Sequence, residues 1–473
     1  MSLKKLHIQT IGCQMNVYDS DKIALGLDPL GYRLTDSPDK ADMIIVNTCA
    51  IREKAVQKVF SYLGRVAGLK QTRPDLIIGV GGCVAQQEGE RILKRAPYVD
   101  LVFGTHAIGR LPSLLSRIEK RRQQVVDVEM GSRIQEPDGA VVPRGETEVS
   151  RFVTIMHGCD NFCTYCVVPY VRGRESSRQP EHILAEIQDL VDNGVREVTL
   201  LGQNVNSYGK KEGLPDFTSL LEKINDINGL KRVRFTTSHP QDLSENLIGA
   251  FGRLDKLCHH IHLPVQSGAD PILKRMNRNY TSTQYLDKIE QLRRVCPDMA
   301  ITSDIIVGFP GETKRDFAAT VALIKTVGYD GLFTFKYSDR PNAPATQFSD
   351  KVAEHDKDQR LQTVLELQEA ITLAKNRALV GQTQEVLVES YRLKPASGSG
   401  GIGSGQWTGR TSTNKIVHMP AGEAAPGQAG DIDPGLLIPI LIKKAFAHSL
   451  WGLPDGSGAR TVSGPKGESS HAA

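Results

Sequence analysis

Three cysteines in the middle of the chain stand at a spacing that can hold a metal cluster. His157 to Arg174 reads HGCDNFCTYCVVPYVRGR, which puts Cys159, Cys163 and Cys166 in a Cys-x3-Cys-x2-Cys run. Three thiolates this close can wrap one face of a cluster. A cubane cluster has four irons, so three cysteines leave one iron open to a chelating small molecule. The amino and carboxylate groups of S-adenosylmethionine can occupy such an iron, and the cluster supplies one low-potential electron. Zinc is the alternative. A closed structural zinc site wants four ligands, and His157 or a distant residue would have to be the fourth.

A second set is dispersed. Cys13, Cys49 and Cys83 each follow an apolar, strand-like run: HIQTIGC, MIIVNTC and LIIGVGGC. In an open parallel sheet the carboxyl ends of the strands line one edge, where ligands bind. Three cysteines at equivalent positions therefore converge, and Gly12, Gly81 and Gly82 permit close backbone approach. One cysteine at a strand end reads as buried core; three in successive βα units favour a second cluster. Cys258 and Cys296 have no such placement and read as core. His259, His260 and His262 look like a metal patch. On a strand, however, His260 and His262 share one face and His259 points away, so His262 reads better as polar lining.

These cysteines need elements to position them. Strands are expected at Lys5–Ile11, Asp42–Asn47, Leu76–Val80 and Val99–Phe103, with helices at Asp19–Leu30 and Glu53–Leu69. That alternation predicts an α/β domain with an open parallel sheet over 1–128, followed by a polar linker at 129–150. Over 151–379 the grammar repeats, with strands at Phe152–Met156, Glu197–Leu201, Arg232–Thr236, His260–Val265, Ala300–Val307 and Leu332–Phe335. Six βα units fit a partial (β/α)6 barrel with its active groups at the C-terminal strand ends. Helices are expected at Pro180–Asn193 and Ser282–Val295, and a long one at His355–Leu379 closes the region. From 380 to 450, short strands at Gln384–Glu389, Ile416–Met419 and Leu436–Ile442, with a Gly/Ser loop at Gly398–Gly405, predict a small β-barrel. The Gly/Ser-rich tail at 451–473 is expected to be disordered.

Bulk properties exclude little. The 473 residues are 40% hydrophobic and 24% charged with a net charge of +4, as in soluble multidomain proteins. No secretion signal or membrane span is expected, so the compartment is expected to be the cytoplasm, where eight cysteines are ligands or core thiols and not disulfides.

The neighbours of the cysteines narrow the reading. GCDNFCTYCVVPYVRGRESSR, LLGQNVNSYG, HLPVQSG and SDIIVGFPGET, in that order, resemble the methylthiotransferase family of the radical S-adenosylmethionine superfamily. The resemblance implies two [4Fe-4S] clusters, on Cys159, Cys163 and Cys166 and on Cys13, Cys49 and Cys83, with sulfur held at the second. It implies two uses of S-adenosylmethionine, as methyl donor and as the source of a 5′-deoxyadenosyl radical. Gln203, Asn204, His262, Gln266 and Asp304, at barrel strand ends, are the candidate contacts to it. GCQMNVYDSD and NTCAIREKAVQKVFSYLGR are similar to the branch that acts on isopentenylated adenosine at position 37 of tRNA, beside the anticodon. Other branches act on threonylcarbamoylated adenosine or on a ribosomal-protein aspartate; a non-catalytic iron–sulfur RNA-binding regulator is a distant alternative. GQWTGRTSTNKIVHMP and KKAFAHSLWG resemble the RNA-binding TRAM barrel. Trp407, Arg410, Lys415, Lys443 and Lys444 are its candidate stacking and phosphate contacts. Arg172, Arg174 and Arg178, after the cysteine run, are candidates for a phosphate or the methionine carboxylate. A low-potential electron donor and a monomeric state complete the expectations.

Overall fold

Runs of β-branched residues build the first sheet. Lys4–Ile11 (β1), Tyr32–Leu34 (β2), Met43–Thr48 (β3), Ile77–Gly82 (β4), Leu101–Phe103 (β5) and Val125–Asp127 (β6) lie in the order β2-β1-β3-β4-β5-β6, and every pairing is parallel. β3 is buried along its whole length because helices cover both faces. Its residues alternate between two cores: Met43 and Ile45 pack with Leu6, Phe103 and Leu114, while Ile44 and Val46 pack with Leu63, Ile78 and Val102. The short strands β2 and β6 escape the sequence pattern because three residues carry no period. The first helix runs over Gln14–Leu27, five residues earlier than Asp19, and a separate 3-10 turn holds Asp28–Leu30. Pro29 cannot continue an α-helix from its interior, so the chain breaks there and Gly31 turns at φ 82.

The computed structural model describes residues 3–50, 53–121, 123–131, 137, 148–393, 405–420 and 432–455. Most of the linker expected at 129–150, most of the Gly398–Gly405 loop and most of the tail at 451–473 lie outside them. The chain divides into two compact units, Met1–Ile371 and Thr372–Ala473.

The first unit also holds the barrel. Its strands are Ser150–Thr154 (β7), Glu197–Leu201 (β10), Arg232–Phe235 (β11), His260–His262 (β12), Ala300–Val307 (β13) and Gly331–Lys336 (β14); a two-residue hairpin, Met156–His157 (β8) with Ser176–Ser177 (β9), brackets the cysteine run. The ladders β7-β10-β11 and β12-β13-β14 are joined by a parallel bridge from Val233 to Leu257, so six strands follow chain order in an open barrel. β12 stops three residues short of Val265. Pro264 has no N–H, and the Val265 N–H turns to Ser303 Oγ at 2.9 Å.

In the second unit Thr383–Leu393 (β15), Gly405–Thr411 (β16), Ile416–Pro420 (β17), Leu437–Ala445 (β18) and Leu450–Pro454 (β19) close in the order β15-β16-β17-β19-β18. The strand GQWTGRT is not among the strands expected from the sequence, and it holds two glycines. The barrel needs one of them: a Cβ at Gly409 would sit 2.3 Å from the Leu387 carbonyl oxygen.

Candidate functional site

Register brings the first cysteine set together. β1, β3 and β4 are neighbours, Ile11 pairs with Thr48, and Thr48 pairs with Gly82. Adjacent strands lie about 5 Å apart, so the chain leaves the sheet at three points within roughly 10 Å. Cys49 directly follows Thr48, and its N–H donates to the Ile11 carbonyl at 3.1 Å. Gly82 has φ 87, and a Cβ there would meet the Thr48 carbonyl oxygen at 2.5 Å, so only glycine delivers Cys83 to this point. Cys13 caps the helix Gln14–Leu27, whose N-terminus favours a thiolate. Asn16 Oδ1 accepts from the Cys13 N–H at 3.3 Å and from its Sγ at 3.4 Å.

The thiols sense one another. A hydrogen bond from Cys49 draws Cys13 down to about 6 against the opposing effect of burial, with Arg172 adding to the shift. Burial pushes Cys83 up, and the Arg172 guanidinium opposes it. These three thiols form a donor set that gains from a soft cation, which is what a cluster presents.

The second set is held by a cradle of hydrogen bonds around the buried Arg278. Asn277 donates to the carbonyls of Asn161 at 3.0 Å and Phe162 at 3.2 Å, and Thr164 Oγ1 donates to the Arg275 carbonyl at 2.9 Å. Arg278, 7% exposed, brings Nη1 to 3.6 Å from Cys163 Sγ and Nε to 2.8 Å from Tyr280 Oη. Burial pushes Cys159 up to about 11 and Cys166 up to about 12, and the neighbouring Cys163 thiol adds to both. Thiols that resist ionising side by side in a buried pocket fit a cluster face.

Both sets meet one cavity of about 280 Å³, lined by Cys13 from the first and by Cys159, Cys163 and Cys166 from the second. Gln203 Oε1, Ser238 Oγ and His239 Nε2 are buried around it without a hydrogen-bond partner among the described residues. His239 Nδ1 accepts from the Gln241 N–H at 3.3 Å. Burial, then the charges of Arg278 and Lys210, push this histidine down to about 2, so it is neutral. With Nδ1 accepting, Nε2 carries the proton and faces the cavity as a donor. Backbone strain gathers here too. Among the described residues, six non-glycines have φ in the left-handed region; three are asparagines, and the others are Phe162, Thr237 and Gln266. Thr237 and Gln266 line the cavity, and Phe162 lies between two residues that do. Such strain costs on the order of 1–3 kcal/mol per residue and persists where packing over-determines the backbone.

Of the candidate S-adenosylmethionine contacts, Gln203, Gln266 and Asp304 line this cavity. Asn204 does not. It is buried, donates to Asp242 at 2.7 Å and accepts from the His239 N–H. His262 stands behind Asp304, 3.5 Å away, and contacts Thr302 Oγ1 at 3.0 Å. His259 joins Asp298 and the buried Cys296 in a hydrogen-bonded group, which neighbourhood in the sequence does not reveal.

The arginines separate. Arg174 is 74% exposed and stacks on Phe162 with 4.7 Å to the ring centroid. Arg172 is 3% exposed and pairs with Asp19, so the expectation of a phosphate contact is corrected. Arg178 is likewise committed, to Glu186 at 2.6 Å and Tyr18 Oη at 3.0 Å. Trp407 is also corrected. It is 4% exposed, packs on Tyr391 and belongs to the small barrel's core, because odd positions of its strand point inward. Trp451 is the half-buried indole, with Lys444 Nζ 5.6 Å from its ring. Lys443 is exposed, Lys415 is half-buried, and Arg410 pairs with Glu389 at 3.1 Å. Arg278, Ser238 and His239 carry no spacing signal; the loop after β11 and the turn that follows the helix Asp270–Arg275 bring them in.

Residues 5–104 match the model of Uncharacterized protein family UPF0004, and residues 153–324 match that of the Radical SAM superfamily. The chain is 53% identical over 455 residues to the tRNA-2-methylthio-N(6)-dimethylallyladenosine synthase of Desulfosudis oleivorans, covering 96% of this chain and 97% of that one. It is 51% identical to the protein of the same name from Syntrophus aciditrophicus, covering 95% and 94%. Among solved structures, the radical S-adenosylmethionine methyltransferase TsrM from Kitasatospora setae superposes with a TM-score of 0.53 at 12% identity, covering 84% of this chain and 78% of that one. That likeness is one of fold.

Proposed function

We infer the function from a premise the relatives supply: this chain belongs to the family of tRNA-2-methylthio-N(6)-dimethylallyladenosine synthases, radical S-adenosylmethionine methylthiotransferases. It adds a methylthio group to C2 of N6-isopentenyladenosine at position 37 of tRNA. The names of the relatives favour this branch over those acting on threonylcarbamoyladenosine or on a ribosomal-protein aspartate.

Cys159, Cys163 and Cys166 would hold one [4Fe-4S] cluster and Cys13, Cys49 and Cys83 a second. When bound, these groups supply the electron that cleaves S-adenosylmethionine and an open iron for the sulfur to be transferred. The observation that carries the reading is the single cavity lined from both sets. The residues around it do the positioning. Gln203 Oε1 accepts and His239 Nε2 donates, so the cavity offers paired partners to the amino and carboxylate groups of a methionine moiety. Ser238 and Asp304 add further polar groups to its lining. Met15, Val168 and Leu201 add apolar surface to its lining. The target base lies in the anticodon loop, where unstacking is cheap. Arg174 and the small barrel, through Lys443, Lys444 and Trp451, serve the RNA. The enzyme works in the cytoplasm, as a monomer, with a low-potential electron donor.

Nucleoside mass spectrometry on tRNA from cells lacking the protein tests this; undiminished 2-methylthio-isopentenyladenosine would overturn it. Iron counting after anaerobic reconstitution is expected to give about eight per chain, and about four would remove the second cluster.

A further inference from the structure

Arg172 crosses from one domain into the other's metal-binding set. It sits six residues after Cys166, on the segment that carries the second cysteine set, yet its guanidinium lies among residues of the first. The N-terminal domain grips its backbone: Thr105 Oγ1 donates to the Val171 carbonyl at 2.8 Å, and the His106 ring meets the Arg172 carbonyl at 3.0 Å. Nη2 donates to Asp19 Oδ2 at 2.6 Å, and both side chains are at most 4% exposed. Nη1 is buried and has no hydrogen-bond partner among the described residues. A buried donor left unmade is destabilising, and one on a charged group more so. Val171, the residue before Arg172, packs in one cluster with Ala50 and Cys83, and the guanidinium is within electrostatic reach of the Cys83 and Cys13 sulfurs and within side-chain hydrogen-bonding reach of Cys83. The guanidinium thus keeps one buried donor unspent in the neighbourhood of the first cysteine set.

We propose that Arg172 is a positioning residue of the Cys13, Cys49 and Cys83 site, its free Nη1 donating to the sulfur anions held there and stabilising the centre's more negative states. This rests on the reading that the three cysteines hold a cluster. Asp19 then sets the strength of the effect, because it neutralises part of the guanidinium charge. The geometry also ties the site to the neighbouring loop: the first centre is complete only when the segment after Cys166 is folded against it. Hydrogen bonds and charge near cluster sulfurs are among the factors that set cluster potentials.

The test uses the full-length chain with Cys159, Cys163 and Cys166 replaced by alanine, reconstituted anaerobically, so that one cluster is read alone. Its iron content comes first: about four irons are expected, and none would overturn the cluster reading and the role of Arg172 with it, whereas the titration tests Arg172 alone. EPR-monitored redox titration follows. Arg172→Gln is expected to move the midpoint to a more negative potential, Arg172→Lys to move it less, and Asp19→Asn to move it the opposite way. An unchanged midpoint in loaded Arg172→Gln overturns the proposal. Should Arg172→Gln fail to load, the sign in Asp19→Asn decides. Loss of iron in both variants marks a purely structural ion pair and also overturns it.

Discussion

His239 shows how burial fixes a protonation state. An unfolded histidine titrates near 6.5, whereas in the folded chain burial, then Arg278 and Lys210, push it down to about 2. The folded state therefore binds fewer protons between these values. Stability is lost as pH falls below about 6.5, at up to about 1.4 kcal/mol per pH unit, and above that pH the effect is absent. The apo protein is expected to lose thermal stability between pH 7 and pH 5, and His239→Gln to lose less, by calorimetry. His239→Phe, which deletes the Nε2 donor, is expected to weaken S-adenosylmethionine binding about 5- to 100-fold, read by equilibrium dialysis. An unaltered affinity would remove His239 from the site. The two tryptophans separate cleanly. Trp407→Ala empties the small barrel's core and is expected to cost about 3–5 kcal/mol in a urea melt, while Trp451→Ala leaves the melt nearly unchanged and lowers RNA affinity.

Elements reach this site through glycines and strand order more than through side-chain chemistry. Gly82 lets β4 end against Thr48, and Gly82→Ala is expected to displace Cys83 and reduce bound iron after reconstitution. Gly64 is exposed inside the helix Glu53–Thr72, and a methyl added there would meet nothing within 4 Å, so Gly64→Ala should stabilise by about 0.5–1 kcal/mol. Equal behaviour of the two substitutions would contradict the role given to Gly82. The long apolar strands were legible because β-branched runs of six residues announce themselves. The three-residue strands β2, β5 and β6 depend on their neighbours, and of these β5 alone showed in the pattern. The early stop of β12 was hidden because HIHLPV is as apolar as a strand should be, and a missing N–H at Pro264 is felt only when a partner strand is present.

At the scale of the whole molecule, two domains of the first unit are locked by buried polar contacts. Lys22 reaches Glu186, Arg178 reaches Tyr18 Oη at 3.0 Å, Arg151 reaches Asp21 at 2.9 Å, and Arg172 reaches Asp19. Breaking one partner of a buried pair costs about 3–5 kcal/mol, which keeps the cavity walls from drifting. The second unit carries Lys443 and Lys444 on its surface. Reversing both, Lys443→Glu with Lys444→Glu, is expected to weaken tRNA binding and flatten its salt dependence by roughly one to two units of slope, measured by filter binding across salt concentrations. A parallel loss at every salt concentration would argue against phosphate contacts.

The sequence by itself determined the architecture and where the cysteines of both sets stand on it. Cys159, Cys163 and Cys166 lie within one short loop, and Cys13, Cys49 and Cys83 each close a strand, so local order and strand periodicity were enough to read them. Tertiary structure alone decided which other side chains share their space. Arg172, written beside the second cysteine set, pairs with Asp19 of the helix that Cys13 caps; Arg278 and His239 arrive from distant segments; Trp407 turns inward while Trp451 stays near the surface. The physical reason is that burial, charge pairing and strain are properties of proximity across strands and domains. A one-dimensional order of residues does not contain that proximity until the sheet register and the barrel's closure have set it.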